Sequence, residues 1–293
     1  MPLIALGLGW LLDILHELAL WSGVLLLVAS GLSLYYGWNR RRAATLVEET
    51  PRTGVTDIRS PGIVRVRGTV VPEHELDTFT SPIAADEGCV LSAWEIEEKY
   101  DTAKNRTWEP AAWGIRTVPF YIDDGTDRIL VDVENRTVGN ETGDVFTPEK
   151  ILVSDGVSLS GVQCSFDAFD IHVETDYGES PPERITAFLE ATDGASVEPM
   201  APDIVVDQSK RKYHEATLQP GDEVSVMGHA ESRHDAPMST TGPENLVLSQ
   251  SDTATFRLST APFDELTNGV GGLLFALFTG IVGAALLAAV FAP

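Results

Sequence analysis

The chain reads as an integral membrane protein of mixed α and β type: two transmembrane helices flank one β-rich domain, of barrel or sandwich kind, that carries a single packed helix. Three observations predict this. Leu18–Trp38 holds no charged side chain over 21 residues, and Val270–Ala292 holds none over 23. At about 1.5 Å per residue, either run as a helix spans the roughly 30 Å hydrocarbon core of a bilayer. Only helices and closed barrels satisfy their own backbone polar groups there. Between the two runs, short stretches of alternating polarity dominate.

Taken in order, Pro2–Leu12 is apolar but Asp13, His16 and Glu17 interrupt it. Residues 1–17 are therefore expected to lie in the interface or to extend the first helix. The basic start and small-residue cleavage site of a signal peptide are not evident. The first transmembrane helix is expected over 18–38. Asn39-Arg40-Arg41-Arg42 then opens a basic, later polar, linker over 39–57. Arginines abutting a membrane helix mark the cytoplasmic side, which places the domain in the cytoplasm of a cell-membrane protein. Tripeptides of the glycosylation type at Asn105, Asn135 and Asn140 argue for the other side, but they arise by chance in Thr-rich loops.

The domain is expected over 58–263. Ile63–Val71 alternates as a strand with one apolar face, and Cys89–Glu97 does the same. Phe120-Tyr121-Ile122, Asp123-Asp124-Gly125-Thr126-Asp127 and Ile129–Val133 form a hairpin signature. His214–Leu218, Pro220-Gly221-Asp222 and Glu223–Met227 read as strand, turn, strand, with Phe256-Arg257-Leu258 closing the sheet. One helix stands out at Pro181–Leu189. Proline is tolerated at a helix start, and Ile185, Phe188 and Leu189 share a face to pack on the sheet. Segments 193–210 and 232–243 read as loops.

The second transmembrane helix is expected over 270–292. There Ala276, Gly280, Ala284 and Ala288 recur every fourth residue. This small-residue face admits close approach of the first helix or of a second copy. Ordinary membrane-helix composition, rich in Ala and Gly, accounts for it equally well.

The net charge of −24 comes from 44 acidic against 20 basic residues, of which five are Lys. Such a surface stays soluble in concentrated salt, where a Debye length of about 3 Å mutes self-repulsion, and it favours a halophilic source. It argues against nucleic acid, whose binding needs Lys and Arg to displace counterions.

In chain order, Gly68-Thr69-Val70, Ser81-Pro82, Cys89-Val90, Trp94, Arg106-Thr107-Trp108, Phe120, Asp123-Asp124-Gly125, Pro182-Glu183-Arg184-Ile185, Tyr213-His214-Glu215 and Leu218-Gln219-Pro220-Gly221-Asp222 carry a resemblance. They resemble the GIDE domain, also called BAM for "beside a membrane", over about residues 58–263 with both flanking helices. The resemblance implies a domain held between two membrane helices. The family includes membrane-anchored mitochondrial ubiquitin ligases and many prokaryotic proteins, haloarchaeal ones among them. In those ligases a zinc-binding RING finger follows the second membrane helix. Here the sequence stops at Pro293 and has two cysteines. The expected function is thus a non-catalytic recognition or scaffold module. The alternative from another class is a ubiquitin-transferase-like protein, which lacks its RING ligands here.

Candidate site residues divide by chemistry. Asp123–Asp127 lacks the later bidentate Glu of a calcium loop and reads as a turn. His229, His234 and His214 with Glu215 have no zinc spacing, so neither metal nor cofactor is expected. Cys89 and Cys164 have no local partner for a nucleophile, and Cys89 sits in an apolar run like a core residue. Trp94 belongs to a strand pattern and hence to the core. Arg106 and Trp108, in a polar hairpin, are the expected surface for an unidentified protein partner, since Trp and Arg dominate interface hot spots; coverage of the core is the other reading for Trp108.

Overall fold

The structure, a computed structural model, describes residues 16–35, 38, 49–74, 76–102, 105–139, 155–159, 161–176, 178–192, 210–233, 242–251, 255–261, 263 and 270–291. Asn39–Arg42, Asn140, His234 and most of residues 1–17 lie outside them. The chain divides into two units. One comprises Met1–Glu49 with Asp264–Pro293, and the other is Thr50–Phe263.

The β-rich unit begins eight residues before the expected Ile58. A 3-10 turn at Val55–Asp57 seals one end of the core, with Val55 fully buried. Five strands then make a closed barrel: β1 (Gly62–Pro72), β4 (Phe120–Asp123), β5 (Arg128–Val131), β12 (Leu246–Ser249) and β11 (Glu223–Ser232). Around the ring, β1 pairs β4, β4 pairs β5, β5 runs parallel to β12, β12 pairs β11, and β11 returns to β1. Numbered along the barrel, this order is 1-2-3-5-4-1, the Greek-key arrangement of OB-type barrels.

Closure is made by β1 and β11, from Gly62↔Ala230 to Thr69↔Glu223. Val64, Val66 and Val70 face inward from β1 to meet Val224, Val226 and Ala230. Because β1 serves both β11 and β4, it must bend between them. Gly68 sits at that bend, and a Cβ there would lie 2.3 Å from the Asp123 carbonyl oxygen. β13 (Phe256–Ser259), expected to close the sheet, instead continues it outward from β11 to β8 (Val162–Ser165) and β7 (Gly156–Leu159).

Two insertions into the barrel build a second sheet. Between β1 and β4 comes the long hairpin β2 (Leu91–Thr102) and β3 (Asn105–Thr117). Between β5 and β11 come β6 (Arg136–Gly139), β9 (Asp170–Thr175), α2 (Glu183–Ala191) and β10 (Arg211–Leu218). The sheet order is β6-β3-β2-β10-β9. Leu91, Ala93 and Ile115 face the barrel core, while Trp94, Ile96, Ala112 and Tyr213 form a second core on the opposite face. Helix α2 covers that face. Pro182, which needs no N–H donor at this position, precedes its first turn, and Ile185 is fully buried with Phe188 and Leu189 beside it.

The Asp123–Asp127 segment is the hairpin turn between β4 and β5. The Asp124 carboxylate accepts the Thr126 and Asp127 amides and the Thr126 hydroxyl, and its second oxygen accepts the Val55 N–H at 2.8 Å. Partial burial opposes its ionisation, but these donors prevail and hold its pKa down to about 2.

In the other unit, α1 (His16–Tyr35) has 20 residues and a mean hydropathy of 1.8, long and apolar enough to cross a membrane. Leu18, Trp21, Leu25 and Val28 are exposed along it. α3 (Val270–Phe291) has 22 residues. The two helices meet closely: Ser30 Oγ donates to the Ala276 carbonyl at 2.7 Å, and a Cβ on Gly283 would lie 3.0 Å from the Gly23 carbonyl oxygen. Of the fourfold repeat, Ala276 is buried and Gly280 sits against Ser30, whereas Ala284 and Ala288 are exposed. The contact instead follows Ala276, Gly280, Gly283 and Leu287.

Replacing Asp124 by Ala should cost roughly 1 kcal/mol at pH 7 through its lost amide bonds. The carboxylate's contribution is present above the unfolded pKa of 3.8 and fades as pH falls toward 2. Denaturant titration of both proteins should therefore show the difference at pH 7 and a smaller one at pH 3.

Candidate functional site

Part of the motif set, drawn from three segments of the sequence, converges on one loop, residues 81–88, between β1 and β2. Pro82 and the residues after it form a tight turn in which Ala85 takes a left-handed φ of 66°. Ser81 closes that turn on Asp86, its N–H donating to the Asp86 carbonyl at 2.8 Å and its Oγ accepting the Asp86 N–H at 3.0 Å.

Two charged side chains hold the loop from opposite sides. Glu215 of β10, only 1% exposed, accepts the Ile83 N–H at 3.0 Å and the Ala84 N–H at 2.5 Å on one carboxylate oxygen, and the Ser92 hydroxyl on the other. From α2, the Arg184 guanidinium donates twice to the Ile83 carbonyl, at 3.2 and 2.7 Å. The Ile83 peptide is thus gripped at both ends, and its side chain fills the second core beside Trp94 and Ile185. A buried carboxylate is costly unless fully hydrogen-bonded, so this one acts as a structural clamp. Thr217, Gln219 and Cys89 add bonds to Asp86 and Glu87.

The clamp positions Phe79, whose backbone exchanges two hydrogen bonds with Cys89. Arg116 of β3 lays its guanidinium 4.5 Å above the Phe79 ring centroid. Arg116 stands at the rim of an open groove of about 490 Å³ on the α2 face of the small sheet. Phe188, with the buried Trp94 beneath it, makes its apolar wall; Arg116, Asn135 and Thr137 give its polar rim. In the cross-strand row Trp94, Gly114, Thr137 the central position has no side chain, and the Trp94 ring packs over it. A Cβ on Gly114 would lie 2.7 Å from the Trp94 ring and 2.6 Å from the Arg136 carbonyl oxygen. The Phe188 ring meets Trp94 edge-on at 5.2 Å.

The expected partner surface looks different. Trp108 is half-buried, and two cations of its own sheet approach its ring, Lys212 at 4.2 Å and Lys99 at 5.7 Å. Arg106 pairs with Asp101 in the β2–β3 ladder, but its side chain lies outside the described residues. Trp113, 6% exposed, donates its indole N–H to the Ser158 carbonyl at 3.1 Å and belongs to the core.

The histidines do not converge. His214 contacts Glu97 at 3.1 Å and the Phe169 carbonyl at 3.4 Å. Burial opposes its protonation, but Glu97, Phe169 and the nearby Glu95 carboxylate raise its pKa overall. Next to it on the strand, Glu215 serves the clamp. His229 lies in β11, and among the described residues no three His, Cys, Asp or Glu groups assemble to hold a metal. Cys89 and Cys164 are both buried and unpaired by disulfide; burial raises the first thiol's pKa and pushes the second up to about 12, which makes poor nucleophiles of both.

Sequence reasoning drew attention to Ser81 and Arg184 only as parts of a resemblance and to Glu215 also beside His214; it missed Arg116, and it noticed the Asn135 tripeptide only as a glycosylation pattern. One local signal pointed at the groove: a glycine inside a strand pattern, here Gly114 between Trp113 and Ile115, marks a close approach. Compared with known proteins, the chain matches no family model, no curated protein and no solved structure.

Replacing Glu215 by Ala strands two amides and a hydroxyl in the interior and should destabilise the protein by about 3 kcal/mol or more, whereas Glu215→Gln, which keeps an acceptor, should cost less. Urea unfolding followed by tryptophan fluorescence measures both. Equal and small losses would remove the clamp from the account.

Proposed function

We propose that this is a membrane-anchored recognition or scaffold protein of the GIDE/BAM kind, with α1 and α3 both spanning the bilayer and the barrel unit beside it on the cytoplasmic side. The observation that carries the reading is the convergence of the motif residues. Ser81, Cys89 and Trp94, then Arg184 and Ile185, then Glu215 come from three separate segments, yet they meet at one clamp beside one groove. A rigidly held loop beside a groove is the kind of support that a binding site requires.

Anchoring draws on three further features. α1 presents large apolar side chains outward, a surface suited to lipid. α3 adds a second uncharged run, and its contact with α1 uses small residues and a Ser30 hydroxyl bond, as membrane helix pairs do. Both ends of the barrel unit also lie on one strand: the Thr53 N–H donates to the Arg65 carbonyl at 2.8 Å, and the Phe263 ring faces the Arg65 guanidinium at 5.9 Å. The first and last described segments of the barrel unit therefore lie beside the same residue of β1. Asn39–Arg42 supports the cytoplasmic side.

The reading is tested on membranes of an expressing cell. The full chain should remain in the pellet after alkaline carbonate extraction, and its barrel unit should be cut by protease only after the membrane is opened. Release into the carbonate supernatant would refute the anchoring, and cleavage in intact cells would reverse the sidedness.

A further inference from the structure

The groove between α2 and β6 has the chemistry of a peptide site, and we propose that it takes an extended acidic segment of a partner protein, with an apolar side chain against Phe188 and a carboxylate at Arg116. This inference rests on the recognition reading and names its partner class.

Three observations choose the occupant. Arg116 is exposed, its guanidinium rests on Phe79, and among the described residues it forms no ion pair. In a chain with 44 acidic and 20 basic residues, a cation beside a groove with no carboxylate of its own marks an anionic ligand. A guanidinium fork matches a carboxylate with two parallel hydrogen bonds. Next, one wall is apolar: a ligand's aliphatic or aromatic group reaches the half-buried Phe188 ring, which rests on Trp94. Finally, the rim carries groups that suit a peptide backbone. Asn135 spends its carbonyl oxygen on the Thr117 N–H at 2.6 Å, which leaves its amide nitrogen as a donor, and the Thr137 hydroxyl stands beside it. At about 490 Å³ and open to solvent, the groove suits a short extended stretch better than an enclosed metabolite.

The clamp gives the site its rigidity. Glu215 and Arg184 hold residues 81–88, that loop holds Phe79, and Phe79 holds the Arg116 guanidinium, so the cation is aimed before any ligand arrives.

The test pans a phage library of random hexapeptides over the full chain immobilised in detergent micelles. Recovered peptides should pair an aliphatic or aromatic residue with Asp or Glu within two positions. Arg116→Glu should lower their recovery at least tenfold. Ala191→Trp, at an exposed position on the helix side of the groove, should do the same by filling it, with thermal melting showing that both variants fold. Recovery unchanged in both variants, enriched peptides without an acidic residue, or no enrichment above empty micelles would each overturn the proposal. Enrichment confined to sequences of this chain would assign the groove to a second copy and overturn the partner. Carbonate extraction of the same variants separates the two claims: peptide binding lost with anchoring intact concerns the groove alone, and anchoring lost with peptide binding intact concerns the membrane alone.

Discussion

One buried carboxylate, that of Glu215, organises the α2 side of the small sheet. Glu215 sits in the small sheet with almost no solvent around it, where an unsatisfied charge would cost several kcal/mol. It is tolerated because three donors converge on it, two of them backbone amides of the 81–88 loop. The same bonds that satisfy the charge bind the loop to the sheet, and Arg184 completes the grip from the helix. Remove that contact and Ile83 loses its place in the core, Phe79 its support, and Arg116 its aim.

The architecture separates support from display. A closed five-strand barrel, sealed by the long β1–β11 ladder, receives the chain at Thr53 and releases it at Phe263, both beside Arg65. The two insertions that make the second sheet are free of that duty. They pair with each other, bury one face on the barrel, and leave the other for α2 and the groove. The proposed membrane anchoring therefore constrains the barrel, while the proposed peptide site belongs to the inserted layer.

Local patterns carried some of this into the sequence. The alternation of Ile63–Val71, the Asp-Gly turn at 123–127 and the Pro182 start of α2 each record a constraint met within a few residues, and each corresponds to an observed element. β3 escaped notice because Pro110 and Gly114 break its alternation and a bulge opposite Ile96 and Glu97 shifts its register. β7 is buried along its whole length and shows no period at all. Closure by β11 rather than β13 joins segments more than 150 residues apart, which no local pattern encodes. The groove was hidden for the same reason: Trp94, Thr137 and Phe188 come from three elements and meet only through pairing across Gly114. Trp108 lies between the two readings its hairpin position allowed: it is half-buried, and Lys99 and Lys212 approach its ring.

Amide hydrogen exchange at Ile83 and Ala84 addresses the clamp most directly, because both protons are donated to the Glu215 carboxylate. If Glu215 holds them, both should exchange only on the timescale of global unfolding, alongside amides of the β2–β10 ladder. Exchange at the rate of an open loop, with the ladder still protected, would contradict the account.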